Sequence, residues 1–318
     1  MSFKTAFLFP GQGAQAMGMG LQIYETYDAA RSFFNAACEE VDFDLKSMCF
    51  EETGTLLSQT EYTQPALVAV EGMIVKVLEE KGLIADAYAG LSLGEYSALA
   101  AAGALDFTAA VRLAGRRGKI MAQALPKDKT AMAAILGMDG RDAAHICKET
   151  EGIGLVEVAN YNCPGQVVIG GEREAVRHAS ALAKSQGARR VVPLNVSGAF
   201  HTSLLTEAGT LLRLELDQMD FNPLQKPVVF DTTADYQQQP LKDLLQQQIS
   251  SPVLFEDSIR RLIRDGVDTF VEIGPGKTLS GFVKKIDRNV TLYQISDVKS
   301  LEQAVKKLLP ARDVEKGL

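Results

Sequence analysis

Residues 85–100 read ADAYAGLSLGEYSALA, and Gly90-Leu91-Ser92-Leu93-Gly94 at their centre constrains the chain more than any other stretch. A short apolar run enters these five residues and an alanine-rich, helix-favouring run leaves them, with Gly103 placed to end the helix. A serine between two glycines at a strand-to-helix junction is the G-x-S-x-G nucleophile-elbow pattern. Its turn is so tight that neighbouring backbone leaves no room for side chains at the flanking positions. The helix that follows points free N–H groups and its dipole at the serine, where developing negative charge is favoured. The competing reading is a structural serine in a tight turn.

The surrounding chain agrees with a strand-turn-helix context. KTAFLFP near the start, DAYAG before the elbow and TFVEIG at 269–274 read as strands, each leading through a glycine turn into a helical stretch. Such alternation predicts parallel strands with helices on both faces. Between 128 and 196 the rhythm changes to strand (TAMAAILG), helix (GRDAAHICKET), two strands (LVEVANYN, GQVVIGG), helix (EREAVRHASALAKSQG) and strand (ARRVVPLNV). That is the β-α-β-β-α-β order of a ferredoxin-like unit. The expected fold is α/β: a large hydrolase-like parallel-sheet domain at 1–127 and 197–318, with an inserted ferredoxin-like subdomain at 128–196. The closing PARDVEKGL reads as a frayed tail.

Bulk properties remove several classes of function. A net charge of −7 argues against nucleic acid as the main partner, because phosphate binding needs a basic surface. Cys38, Cys49, Cys147 and Cys163 are scattered, with no CxxC pair and no metal-binding spacing to histidine. They read as reduced thiols of a cytoplasmic protein without a metal site. The N-terminus lacks a signal-peptide pattern, and no apolar run approaches the roughly 18 residues of a membrane helix.

A reactive serine needs a base, and the chain has three histidines. His145 and His178 fall among charged neighbours on helices of the small unit and read as solvated. His201, in NVSGAFHTSLL, follows a strand where the chain re-enters the large domain, and comes after the serine as in the hydrolase order. No acid between Ser92 and His201 has the place of a third triad member, so something else, such as a backbone carbonyl, should orient the imidazole. On the helix expected at 106–125, Phe107, Ala110, Val111, Ala114, Gly118 and Met121 form an apolar face that also carries Arg117, whereas Arg112, Arg116, Lys119 and Gln123 lie opposite. A buried guanidinium must meet an anion, either a protein acid or a substrate carboxylate. Gln248 lies on the stripe of Leu241, Leu244, Leu245 and Ile249, and a buried amide must be hydrogen-bonded. It either closes local backbone or lends its own carbonyl to His201.

Two other glycine-rich motifs fail on context. GQGAQA at 11–16 fits a dinucleotide fingerprint, but ARSFFNAACEEVDFDL, where a second strand ending in an acid is needed, looks helical. GPGKT at 274–278 lacks the P-loop's first glycine, since Val271 occupies that position.

Taken together, FLFPGQGAQ, GLSLGEYSAL, RRGKIM, NYNCPGQVVIGG, GAFHT, SPVLF and EIGPGKTLSG, in this order and rough spacing, resemble the malonyl-CoA:acyl carrier protein transacylases of bacterial fatty acid synthesis over nearly the whole chain. The resemblance implies Ser92 as the acylated nucleophile, His201 as its base and Arg117 as the holder of the malonyl carboxylate. It implies an oxyanion hole from the backbone N–H groups of Gln12 and Leu93, and a Gln248 whose backbone carbonyl orients the histidine in place of a triad acid. Many members carry histidine before the nucleophile, where this chain has Leu91; Phe200 beside His201 matches the malonyl-type pattern. The implied partners are acyl carrier protein and a coenzyme A thioester, with no cofactor. Because carrier proteins are acidic, docking should use a local basic patch, for which Arg189-Arg190 and Lys284-Lys285 are candidates. The readings set against this one are a serine thioesterase or hydrolase, a stand-alone polyketide acyltransferase, and a non-catalytic carrier-docking module.

Overall fold

The computed structural model describes residues 5–51, 54–126 and 128–313. Strand β1 (Thr5–Phe9) is buried along its whole length. Phe7 and Phe9 enter one apolar cluster while Ala6 and Leu8 enter another. A strand buried on both faces belongs in the middle of a helix-covered parallel sheet. It lies there: β2 (Ala87–Gly90) pairs with it on one side, and β7 (Val228–Val229), β8 (Thr269–Ile273) and β9 (Thr291–Ile295) complete the order β7-β2-β1-β8-β9, every pair parallel.

Helices cover both faces of this sheet. On one side, α1 (Leu21–Thr26), α2 (Asp28–Cys38) and α3 (Leu45–Phe50) pack against α4 (Thr60–Glu80), and α5 (Gly94–Ala101) and α6 (Phe107–Gln123) complete the layer. Helix α4 is buried nearly all round from Thr63 to Leu78, as a helix enclosed by other helices is. The helical α2 removes the dinucleotide-fingerprint reading of GQGAQA, as its context implied.

The second sheet is antiparallel. Strands β3 (Thr130–Leu136), β4 (Val156–Cys163), β5 (Gln166–Glu172) and β6 (Arg190–Pro193) take the order β4-β5-β3-β6, with α7 (Gly140–Glu149) and α8 (Arg173–Ser185) between them in sequence. Ile146 and Cys147 of α7 and Val176 and Ala179 of α8 share a separate apolar cluster with this sheet. Its other face sends Met132, Ala134, Ala159 and Val168 into the main core. The βαββαβ order expected from sequence is present.

After the second sheet the chain returns through α9 (Thr206–Asp217) and α10 (Leu241–Gln248), which pack against each other. Helices α11 (Phe255–Arg264) and α12 (Thr278–Ile286) close the second face of the parallel sheet, and α13 (Val298–Asp313) lies against β9. The GPGKT turn joins β8 to α12, and Glu272 accepts the Leu279 and Ser280 N–H groups at 3.0 and 2.8 Å. The chain's own carboxylate thus fills the place a phosphate would take. The tail expected to fray from 310 is helical as far as Asp313, because Leu301, Ala304 and Leu308 anchor that helix on the core. Residues 314–318 of that tail, residue 4 of the first expected strand and residue 127 at the expected domain edge lie outside the described residues.

The elbow is held by close backbone approach. A Cβ on Gly94 would drive into the Phe9 carbonyl, and one on Gly90 into the backbone of Gly94 and Glu95. Ser92 between them has φ +54°, a left-handed conformation that costs a side-chain-bearing residue about 1–3 kcal/mol. Gly94→Ala should therefore lower unfolding stability by about 2–4 kcal/mol. An unchanged urea midpoint would show that β1 can yield.

Candidate active site

Three neighbouring strands deliver the site's parts at their carboxyl ends, where ligands bind in parallel α/β sheets. The end of β1 leads to Gln12, the end of β2 to Ser92, and the end of β7 to Asp231. Phe9 and Gly90 are paired across β1 and β2, and the Leu91 N–H donates to the Phe9 carbonyl at 3.0 Å. Ser92 and Gln12 are thereby fixed side by side. Neither the Gln12 nor the Leu93 backbone N–H is bonded to another described residue. The Gln12 side chain is held away by Thr60, whose Oγ1 accepts from its Nε2 at 3.1 Å.

His201 reaches the serine from the segment before α9. Its Nε2 lies 2.6 Å from Ser92 Oγ, and its Nδ1 lies 2.9 Å from the Gln248 carbonyl oxygen. A carbonyl can only accept, so Nδ1 carries the proton and Nε2 presents its lone pair to the serine hydroxyl. A backbone carbonyl thus occupies the position that a carboxylate takes in a Ser-His-Asp triad. Like Ser92, His201 is left-handed, with φ +59°. Burial, then the nearby Arg117 charge, lowers its pKa from 6.5 to about 4, while the Gln248 carbonyl pulls the other way. The imidazole is consequently neutral and available as a base at pH 7.

Arg117 on α6 is 1% exposed, and no carboxylate among the described residues lies within ion-pair distance of it. Its Nη1 donates to Gln64 Oε1 at 2.9 Å, and its Nη2 to Gln248 Oε1 at 3.0 Å and Ser92 Oγ at 3.1 Å. The Tyr96 ring lies 5.2 Å from the guanidinium carbon, in cation-π range. Arg117 Nε has no acceptor among the described residues. Gln248 also donates from Nε2 to the Ser92 carbonyl at 2.9 Å. Its side chain therefore braces both the guanidinium and the elbow while its backbone holds the histidine.

A cavity of about 100 Å³ opens over Ser92, Arg117 and His201, walled by Phe200, Met132 and Asn160 among others. Ser92, His201, Gln248, Gln12, Leu93, Arg117 and Phe200, all singled out in the sequence, meet at this one place. Arg112, Arg116 and Lys119 face outward, as do His145 and His178. So do Arg189, Arg190, Lys284 and Lys285. Sequence reasoning missed Gln64, Glu95, Tyr96 and Asp231. Gln64 follows the polar opening Thr60-Glu61-Tyr62-Thr63 of α4, where a further polar residue gives little signal. Asp231 sits in an ordinary turn sequence and gave no signal. Among the described residues, no cluster of three His, Cys, Asp or Glu side chains could hold a metal ion, and no helix is long and apolar enough to cross a membrane.

The family described as "Acyl transferase domain" matches residues 6–307. The chain belongs to the acyl transferase family. It is 45% identical to the malonyl CoA-acyl carrier protein transacylase of Bacillus subtilis, over 98% of this chain and 99% of that one. The crystal structure of malonyl CoA-acyl carrier protein transacylase from Clostridium perfringens superposes on this acyltransferase with a TM-score of 0.94 at 39% identity, covering 98% and 99% of the two chains. A type II polyketide acyl-carrier protein in complex with its malonyl-transacylase gives a TM-score of 0.92 at 36% identity, covering 95% and 99%.

The lowered His201 pKa carries a linked cost for the acyltransferase. Between pH 6.5 and about 4 the unfolded chain binds a proton that the folded chain refuses, so stability falls as pH falls through that window. The accumulated loss should be about 3 kcal/mol near pH 4. His201→Gln should flatten that part of the stability profile, measured by urea unfolding from pH 7 to 4. Serine acylation in the wild type should hold its rate down to pH 5, well below the pH at which an ordinary histidine protonates; a fall centred near pH 6.5 would contradict the burial argument.

Proposed function

We propose that this acyltransferase moves the malonyl group of malonyl-CoA onto the phosphopantetheine thiol of acyl carrier protein, in fatty acid synthesis, through an ester on Ser92. The observation that carries the reading is Arg117: a buried guanidinium with no carboxylate partner among the described residues, donating to the nucleophile's own oxygen. An esterase or thioesterase for neutral acyl groups gains nothing from such a cation. A malonyl group brings a carboxylate that the planar fork can hold bidentately.

The reaction proceeds in two half-reactions at one serine. His201 Nε2 takes the Ser92 proton as Oγ attacks the thioester carbon. The carbonyl oxygen becomes an oxyanion, held by the Gln12 and Leu93 N–H groups. The Gln248 carbonyl, bonded to Nδ1–H, supports the imidazolium that forms. Collapse breaks the carbon–sulfur bond, and His201 returns the proton to the departing thiolate. The carrier's thiol then enters, gives its proton to His201 and attacks the ester, and Ser92 regains its hydrogen as it leaves. The sequence of steps as written needs neither metal nor cofactor. Phe200 limits the room beside His201 for a branched acyl group.

The same reading includes a division of the chain into a large domain, 1–127 and 197–318, and a small one, 128–196, with the substrate held between them. Met132 and Asn160 on the wall support that placement of the acyl group. Four free cysteines, three of them buried, suit the reducing cytoplasm. Arg189-Arg190 and Lys284-Lys285 are exposed cations available to an acidic carrier.

Intact-protein mass after mixing with malonyl-CoA should show a malonyl adduct that Ser92→Ala abolishes and added holo carrier protein clears. Arg117→Ala should reduce malonyl acylation by roughly 10²-fold or more while leaving acetyl-CoA no worse a donor. Equal losses for both donors would remove the carboxylate-clamp role, and free malonate without carrier transfer would make the enzyme a thioesterase.

A further inference from the structure

Two fully buried acids lie under the elbow with no role in the steps above. Asp231 Oδ2 accepts the Ser92 N–H at 2.7 Å, and Glu95 Oε2 on α5 accepts the Asp231 N–H at 2.8 Å. Both residues are 0% exposed. The second oxygen of each, Glu95 Oε1 and Asp231 Oδ1, has no donor among the described residues. Because the Glu95 carboxyl is bonded to the Asp231 backbone, the two carboxyl groups are neighbours, and the charge of Asp231 acts on Glu95. Two adjacent buried carboxylates, each with an unmatched oxygen, cannot both be ionised: they would repel, and two acceptors would lack a donor. One proton between them supplies the donor and leaves one charge.

We propose that Glu95 and Asp231 share a single proton and carry one negative charge between them, and that this pair positions Ser92 while serving as the internal counter-charge of Arg117 and of the imidazolium formed on His201. The reading rests on the proposed roles of Ser92, His201 and Arg117. The ionisation of the two acids agrees with it. Burial raises both, and Asp231 is then drawn back by the Ser92 N–H and the Arg117 charge, so the proton resides on Glu95. Among the described residues, the charged or titratable groups that act on the pair are Arg117 from α6 and Tyr96 from α5, and the Arg117 charge in turn acts on His201. Tyr96 stays neutral because burial raises its pKa to about 12. The pair explains how Arg117 stays buried without a direct ion pair. It also supplies, from beneath the serine, the negative charge that a triad acid supplies from behind the histidine. Neither acid touches substrate, so both are positioning residues.

Amide substitutions count the proton. In Glu95→Gln, the amide donates to Asp231 Oδ1 and Asp231 keeps the charge. In Asp231→Asn, the amide donates to Glu95 and the charge moves to Glu95. In the double variant, two amide NH₂ groups face each other and the charge is gone. Single-turnover acylation by malonyl-CoA should therefore stay within about threefold of wild type in each single variant and fall at least about tenfold in the double. The half-saturating malonyl-CoA concentration of the double should not rise, because Arg117 is then less neutralised; general damage to the site would raise it. A tenfold loss in either single variant, a double variant equal to wild type, or a raised half-saturation overturns the proposal. Should the double variant fail to fold, infrared difference spectra of the folded singles decide: each must lose a carboxylic-acid band present in wild type, and its persistence in either overturns the shared proton. Labelling of Ser92→Ala by malonyl-CoA would instead overturn the nucleophile reading, which is a separate outcome.

Discussion

The contact between the Phe9 carbonyl and Gly94 sets the geometry of everything around it. For β1 and the start of α5 to meet at bare backbone, β1 and β2 must be adjacent, parallel and in register at their ends. That register puts the turn after β1 beside the elbow after β2, so Gln12 and Leu93, whose backbone N–H groups bond no other described residue, line one cavity with Ser92. Parallel pairing of β2 with β7 then places a carboxylate under the elbow from the opposite side. The constraint is steric, and the electrostatics follow from it.

Within that frame the polar groups are arranged so that few are satisfied by full charges. Arg117 is met by two glutamine oxygens, a serine oxygen and an aromatic face. His201 is met by a carbonyl dipole. Neutral acceptors hold a cation in place without cancelling it, whereas a carboxylate in direct contact would occupy the fork and leave an incoming anion nothing to bind. The glutamine at the end of α10 has a double part, because its side chain and its backbone carbonyl reach different members of the site.

The sequence made these features visible to unequal degrees. Gly90 and Gly94 announced the elbow because close backbone approach leaves one residue type available. Arg117 stood out because a cation on an apolar helical face violates a strong solvation rule, and Gln248 stood out for a milder form of the same violation. His201 was reached by elimination among three histidines, which a chain richer in histidine would not have allowed. Asp231 and Glu95 stayed hidden for opposite reasons. The first sits in a polar turn where acids are ordinary, and the second in the first turn of a helix, where an acid is explained by the dipole alone. Their meaning depends on β7 lying beside β2, a pairing between residues far apart in the chain that no local pattern encodes. The expected fraying from residue 310 begins too early, because packing of Leu301, Ala304 and Leu308 carries the helix on to Asp313.

The second sheet has a core of its own around α7 and α8, and a parallel bridge, Asn160 to Val253, ties its β4 to the segment after α10. Tyr161 N–H donates to the Val253 carbonyl at 2.8 Å, and Val253 N–H to the Ala159 carbonyl at 2.9 Å. The wall that Met132 and Asn160 contribute is thus borne by a unit that packs its own interior on one face of its sheet and joins the main core on the other. Side chains on that wall can be exchanged over evolutionary time while Ser92, His201 and the turn after β1 keep their spacing. One wall of the cavity can therefore vary while Arg117 and Phe200 stay on the same piece of the molecule as Ser92 and His201.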